Sequence, residues 1–135
     1  MVIWHGEKGK KPTGGTINIA RKKRKFELGS LPIWTKIGQE KRKIADTKGG
    51  GYKVKASSVE FVNVLDPSTN EIKKVKILHI LENKANPHFV RRGIITKGTV
   101  VKTELGNVRI TSRPSQHGVV NAIILEKENP EKTRE

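Results

Sequence analysis

The stretch Val59-Glu60-Phe61-Val62-Asn63-Val64-Leu65-Asp66-Pro67-Ser68-Thr69-Asn70-Glu71-Ile72-Lys73-Lys74-Val75-Lys76-Ile77 decides the fold class. Branched residues alternate with polar ones on both sides of a Pro- and Asn-containing cluster, which is the pattern of two strands joined by a tight reversal. Val59, Phe61 and Leu65 are placed on one face, and Val75, Ile77 and Leu81 resume the alternation after the turn. Towards the C-terminus a second hairpin reads residues 100–103, a turn at Glu104-Leu105-Gly106-Asn107, and Val108-Arg109-Ile110-Thr111, with Val108 and Ile110 inward and Arg109 outward. Residues 119–125 give a last strand. Between the hairpins, Asn86-Pro87-His88-Phe89-Val90-Arg91-Arg92-Gly93 has a capping Asn, Pro at the first helical position and Gly past the end, so one short helix is expected there. Short strands with few helices suggest an all-β fold, a small antiparallel β-barrel of about six strands, because closure removes exposed edges. Roughly 75 residues make a small core that buries only about 60% of its unfolded surface.

Upstream of this pattern the composition changes. The chain has 135 residues with 28 Lys plus Arg against 13 Asp plus Glu, a net charge of +15. Residues 1–55 carry 15 of the cations and 4 of the acids, whereas the last ten residues are slightly acidic. Glycine and proline recur in this first part and apolar residues come in ones and twos, which is too little to offset the entropy of ordering. Three segments are expected: a long basic, Gly-rich N-terminal extension over residues 1–42 with a short strand at Thr16-Ile17-Asn18-Ile19, a barrel over 43–126, and a flexible tail over 127–135. Strands are expected to begin only near Tyr52, and deletion of residues 1–40 is expected to spare folding.

A charge excess of this size seeks a polyanion, and nucleic acid satisfies it best, because neutralising several phosphates releases condensed counterions. A membrane surface is disfavoured, since neither a lipidation signal nor a basic amphipathic helix is present. The longest apolar stretch, residues 119–125, is far short of the ~20 residues that span a bilayer. No secretory signal is legible, and a cytoplasmic protein is expected. Cysteine is absent, which removes disulfides and thiolate metal sites.

The densest cationic runs are Lys8-Gly9-Lys10-Lys11-Pro12-Thr13-Gly14-Gly15 and Arg21-Lys22-Lys23-Arg24-Lys25, with only Glu7 and Glu27 nearby to pair with them. Phosphate contacts would relieve their mutual repulsion. Arg91 and Arg92 close the expected helix, where cations also complement its dipole, and their planar forks suit phosphate and guanine edges. The candidate RNA-binding set is Lys8, Lys10, Lys11, Arg21, Lys22, Lys23, Arg24, Lys25, Lys36, Lys41, Arg42, Lys43, Lys48, Arg91, Arg92, Lys97 and Arg113. Gly93-Ile94-Ile95-Thr96-Lys97-Gly98-Thr99 has the outer spacing of a nucleotide-binding loop, but Thr99 stands where the phosphate-binding Lys is required. His5, His79, His88 and His117 lack ligand spacing, with His79 read as a packing residue, so neither metal nor cofactor is expected. Asp46, Glu60, Asp66 and Glu71 form no acid–base pair, and no catalytic role is assigned. Six aromatics are too scattered for a base-stacking platform, Phe61 and Phe89 being read as core, so recognition is expected to rest on backbone and shape.

Several stretches taken in order carry a resemblance: Lys11-Pro12-Thr13-Gly14-Gly15, Ala20-Arg21-Lys22-Lys23-Arg24-Lys25-Phe26-Glu27-Leu28-Gly29, Thr35-Lys36-Ile37-Gly38, Asn86-Pro87-His88-Phe89-Val90-Arg91-Arg92, Ile94-Ile95-Thr96-Lys97-Gly98, Ser112-Arg113-Pro114 and Gly118-Val119-Val120-Asn121-Ala122. Over nearly its whole length the chain resembles ribosomal protein family eight of the archaeal and eukaryotic small subunit, in its compact archaeal form. The resemblance implies a β-barrel with a basic extension, embedded in the ribosomal RNA of the small subunit beside neighbouring ribosomal proteins. It implies a structural part in translation, in the cytoplasm, and a monomer when free. A ribosome-assembly factor with the same barrel is the nearest alternative. A DNA- or chromatin-compacting protein and an enzyme acting on nucleic acid are the alternatives from other classes. The first predicts equal affinity for duplex DNA and structured RNA, and the second needs a metal site or clustered carboxylates.

Overall fold

A computed structural model of the chain describes residues 2–6, 9–47 and 49–126. The chain divides between Pro32 and Ile33 into two compact units. In the second unit, strands β6 (Phe61–Asp66), β7 (Glu71–Glu82), β8 (Val100–Thr103), β9 (Gly106–Ile110) and β10 (Asn121–Glu126) close into a barrel. Five strands form it, not about six, and the closing pair is parallel: β10 runs alongside β6 with Ala122 opposite Val64. Parity is the reason. Consecutive strands linked as a meander alternate in direction, so an odd number must bring first and last together in the same sense. The other four pairings are antiparallel.

Strand number also fixes what fits inside, because barrel diameter grows with it and even eight strands leave only room for side chains. The core is accordingly built of small and branched residues: Ala56, Val59, Val62, Val64, Val75, Ile77, Ile80, Ile95, Val101, Val108, Ile110, Val120 and Ala122. No aromatic belongs to it. Phe61, expected inside, is 41% exposed, and Leu81 is equally so. Two local irregularities account for the change of face. The chain bends at Glu60, just before β6, which turns Val62 and Val64 inward in place of Phe61. In β7 the register shifts between Ile77 and His79, so Leu78 is an extra residue, Ile80 points in, and His79 is exposed rather than packed.

Turn chemistry holds as read. The Asp66 carboxylate accepts from Ser68 N at 3.0 Å, Asn70 adopts φ 55°, and its N–H closes on Asp66 O. Val108 and Ile110 face inward and Arg109 outward. Helix α1 (Pro87–Arg91) is capped by the Asn86 side chain, which accepts from His88 N at 2.9 Å. A second helix, α2 (Pro114–His117), was not expected. It ends at Gly118 with φ 72°, where a Cβ would come within 2.7 Å of Val54 Cγ1, so glycine is required twice over.

Three strands precede or flank the barrel. Strand β5 (Tyr52–Val59) leads into β6 and is paired with β3 (Lys36–Ile37) on one edge and β4 (Lys41–Asp46) on the other. Strands therefore begin well before Tyr52. Thr35, 1% exposed, fastens this sheet to the barrel mouth: its Oγ1 donates to Ala56 O at 2.8 Å and its carbonyl accepts from Ile95 N at 2.8 Å. The loop resembling a nucleotide-binding turn is a plug. Ile94, Ile95 and Thr99 are buried, Asn83 donates to Ile94 O and accepts from Thr96 Oγ1, and the Thr99 hydroxyl accepts from Thr96 N.

The first unit pairs β1 (Val2–Trp4) with β2 (Leu28–Ser30), entered through a 3₁₀ turn at Lys25–Glu27. The expected strand at residues 16–19 does not form; Thr16 alone bridges to Lys10 around the turn at residues 11–15. Gly29 lies so close to the His5 ring that a Cβ there would overlap it. Glu27 organises the unit. Its carboxylate accepts from Trp4 Nε1 at 2.9 Å and Arg24 N at 3.2 Å, and pairs with Arg21. These donors hold it near pKa 2, the indole contributing most, then the Arg24 amide.

Two measurements check this. Thr35→Val keeps the shape but leaves buried carbonyl acceptance unmet, so unfolding free energy should fall by about 1–3 kcal/mol. The thermal midpoint should drop by roughly 4–8 °C for each of those, and deletion of residues 1–40, which takes Thr35 and β3 away, should disrupt the fold where deletion of 1–32 does not. An unchanged midpoint in Thr35→Val contradicts the fastening role. For Glu27 the depressed value means that its contribution is complete above about pH 4.5 and disappears as pH falls through about 2. In a Trp34→Phe background, Trp4 emission should change with a midpoint near pH 2, and Glu27→Gln should abolish that transition. A midpoint near 4.5 would show the carboxylate to be unheld.

Candidate nucleic-acid interface

Cationic side chains separate into those with acid partners and those without. On the β6–β7 hairpin two of the three lysines are balanced: Lys73 pairs with Glu71 at 3.2 Å, and Lys76 with Glu60 at 2.8 Å, which raises the Lys76 pKa. On the β4–β5 sheet they are not. The register sets Lys43 opposite Lys55 and Ala45 opposite Lys53. Because opposite residues share a face and side chains alternate along a strand, Lys43, Lys53 and Lys55 project from the same side. Among the described residues none of the three has an ion pair. Like charges directly opposite each other destabilise a strand pair, so this arrangement stores a repulsion that an anionic ligand removes. Lys41 stands beside it at the β4 irregularity, whereas Arg42, on the reverse face, pairs with Glu40.

A second group gathers at the plugged end of the barrel. An isolated bridge joins Lys36 to Ile94, two residues past Arg92, so the backbone of Lys36 lies beside the end of α1. Arg91, Arg92 and Lys97 are all exposed, and none is ion-paired among the described residues. Trp34, also exposed, packs on Phe89 with ring centroids 5.0 Å apart, which braces α1 from below. Arg113 is exposed at the start of α2.

In the first unit Lys10, Lys11, Lys22, Arg24 and Lys25 are exposed. Two of the expected contacts serve the unit itself: Arg21 pairs with Glu27 and lies 5.6 Å from the Phe26 ring centroid, and Lys23 Nζ lies 5.3 Å from that of Trp4. Lys8, Lys48 and the acid Glu7 fall outside the described residues. Lys53 and Lys55 were missed in the sequence, where Tyr52-Lys53-Val54-Lys55 reads as an ordinary strand with a solvated face. Only the register with Lys43 reveals a like-charge pair. Among the described residues no cluster of three or more His, Asp or Glu side chains is arranged to hold a metal ion, and no helix is long and apolar enough to cross a membrane.

The chemistry that such a surface can support is multisite phosphate binding. A family model described as Ribosomal protein S8e matches residues 4–125. The chain is 49% identical over 123 residues to the protein named small ribosomal subunit protein eS8 of Methanospirillum hungatei, covering 91% of this chain and 98% of that one. It is 47% identical over 122 residues to the protein of the same name from Methanoculleus marisnigri, covering 90% and 98%. A match spanning both the barrel and the basic first unit, at that identity and with both relatives covered almost end to end, settles the relationship: the chain belongs to the ribosomal protein S8e family.

Proposed function

We propose that the chain is a structural constituent of the small ribosomal subunit that binds ribosomal RNA chiefly through its phosphates. The observation that carries this reading is the Lys43–Lys55 pair with Lys53 beside it, cations set against one another with no acid among the described residues to balance them. A free protein gains nothing from that geometry, and a phosphate backbone lying across the sheet neutralises it. The names of the family relatives supply the assembly to which such an RNA belongs.

Within this reading, residues 1–42 act as a basic, Gly-rich RNA-contacting extension. They present Lys10, Lys11, Lys22, Arg24, Lys25 and Lys36 to phosphates, with Arg21 and Lys23 adding their charge from positions that they also brace. The barrel, over residues 43–126, adds the Lys43 face, Arg91, Arg92, Lys97 and Arg113, while the segment 127–135 contributes little, having no net charge. Neighbouring ribosomal proteins complete the surroundings. The protein is a cytoplasmic monomer before it joins the subunit, with no membrane attachment, no cofactor and no catalytic step.

The double substitution Lys43→Gln/Lys55→Gln separates this role from a structural one, because stability and binding should move in opposite senses. Thermal stability should hold or rise as the repulsion is relieved. Affinity for a transcript of small-subunit ribosomal RNA should fall, and the slope of log affinity against log salt should shrink by about 1.8, the share of two phosphate contacts. Loss of stability with unaltered RNA binding would overturn the assignment of this face.

A further inference from the structure

Phe61 is too large for the five-strand interior and is left on the outer barrel wall, 41% exposed. A lone exposed aromatic is ordinary, but its surroundings are not. Lys74, opposite Asn63 and so diagonal to Phe61 across the hairpin, holds Nζ 4.8 Å from the ring centroid. The ring lines a groove together with Arg42, Glu40, Asn63 and Val119. Glu40 is engaged by Arg42, so the two cations leave the groove net positive. Asn63 donates from Nδ2 to Asn121 Oδ1 at 3.2 Å, which leaves its own Oδ1 as an acceptor on the wall.

Aromatic surface, two cations and an amide acceptor within one groove are the parts of a nucleotide site. Bases stack on aromatic rings whatever their sequence, cations meet the phosphate on either side, and an amide oxygen accepts from a base N–H. A protein partner would use the apolar ring equally well. It would have no use for the ammonium group standing over the ring, where a cation–π contact keeps Lys74 close enough to reach the phosphate of a stacked base.

We infer that the groove at Phe61 receives one unpaired, extruded nucleotide of the RNA, its base stacked on the ring and its phosphate against Lys74. The inference rests on the RNA-binding reading above and goes beyond it. That reading uses phosphates alone, whereas this site requires a base out of its helix. It adds a single stacking position to a recognition expected to rest on backbone and shape, without calling for a multi-ring platform.

The test uses the full chain and two probes, a uridine hexanucleotide with one central 5-iodouridine and a fully paired RNA duplex. Irradiation of the complex with the hexanucleotide should give an adduct that maps to Phe61. Phe61→Leu should remove that adduct and weaken hexanucleotide binding by roughly 5- to 100-fold, as loss of one stacked base does. Phe61→Trp should keep the affinity, and binding of the duplex should be unchanged in every variant. An adduct elsewhere, or equal binding of the hexanucleotide by parent and Phe61→Leu, overturns the site and leaves the groove to a protein partner. So does a Phe61→Leu variant that loses both probes alike. Failure of the parent to bind either probe would instead overturn the RNA-binding reading itself.

Discussion

Closing a barrel with five strands is the constraint from which most of this structure follows. An odd meander must end with a parallel seam, here β10 against β6, and the lumen is too narrow for anything larger than Ile. Every ring and every long cationic side chain is therefore excluded from the interior. The barrel's outer surface and the β4–β5 sheet beside it receive the charge, and Thr35 with the plug at residues 94–99 seals the end that would otherwise stay open. A fold with a roomier interior could hide Phe61.

The same constraint explains which parts of the fold were legible in the sequence. Both hairpins could be read because Asp66-Pro67-Ser68-Thr69-Asn70 and Glu104-Leu105-Gly106 carry local turn chemistry, and α1 because Asn86, Pro87 and Gly93 mark its ends. Facing direction was misread at two places, just after Val59 and just after Ile77. The bend at Glu60 and the extra Leu78 each shift the period by one residue, and nothing local announces either. Strand β4 was hidden because Lys41-Arg42-Lys43 looks like a charge run until its partner is known. Helix α2 carries the same Pro and Gly signals as α1, yet its N-cap is Arg113, with no side-chain cap to add weight. Of the interface, the cationic content was evident from composition, but its geometry is a matter of register. Lys53 and Lys55 become part of a site only when they are set against Lys43, while Arg21 and Arg42, prominent in the sequence, prove to hold acids of their own.

Charge is thus distributed by structure as well as by sequence. On the β6–β7 hairpin, Lys73 and Lys76 each have an acid partner, in Glu71 and Glu60. Where β4 and β5 meet, Lys43 faces Lys55, a like-charge pair that weakens the strand pairing. That difference separates the two surfaces by charge: one holds ion pairs of its own, and the other sets lysine against lysine.

Sedimentation of the tagged protein from its native cells most directly tests whether this surface serves the small subunit. At low salt the protein should travel entirely with the small subunit, and it should be released as salt rises, since each phosphate contact adds about 0.9 to the slope of log affinity against log salt. Recovery at the top of the gradient at low salt, or with DNA instead of the subunit, would contradict it.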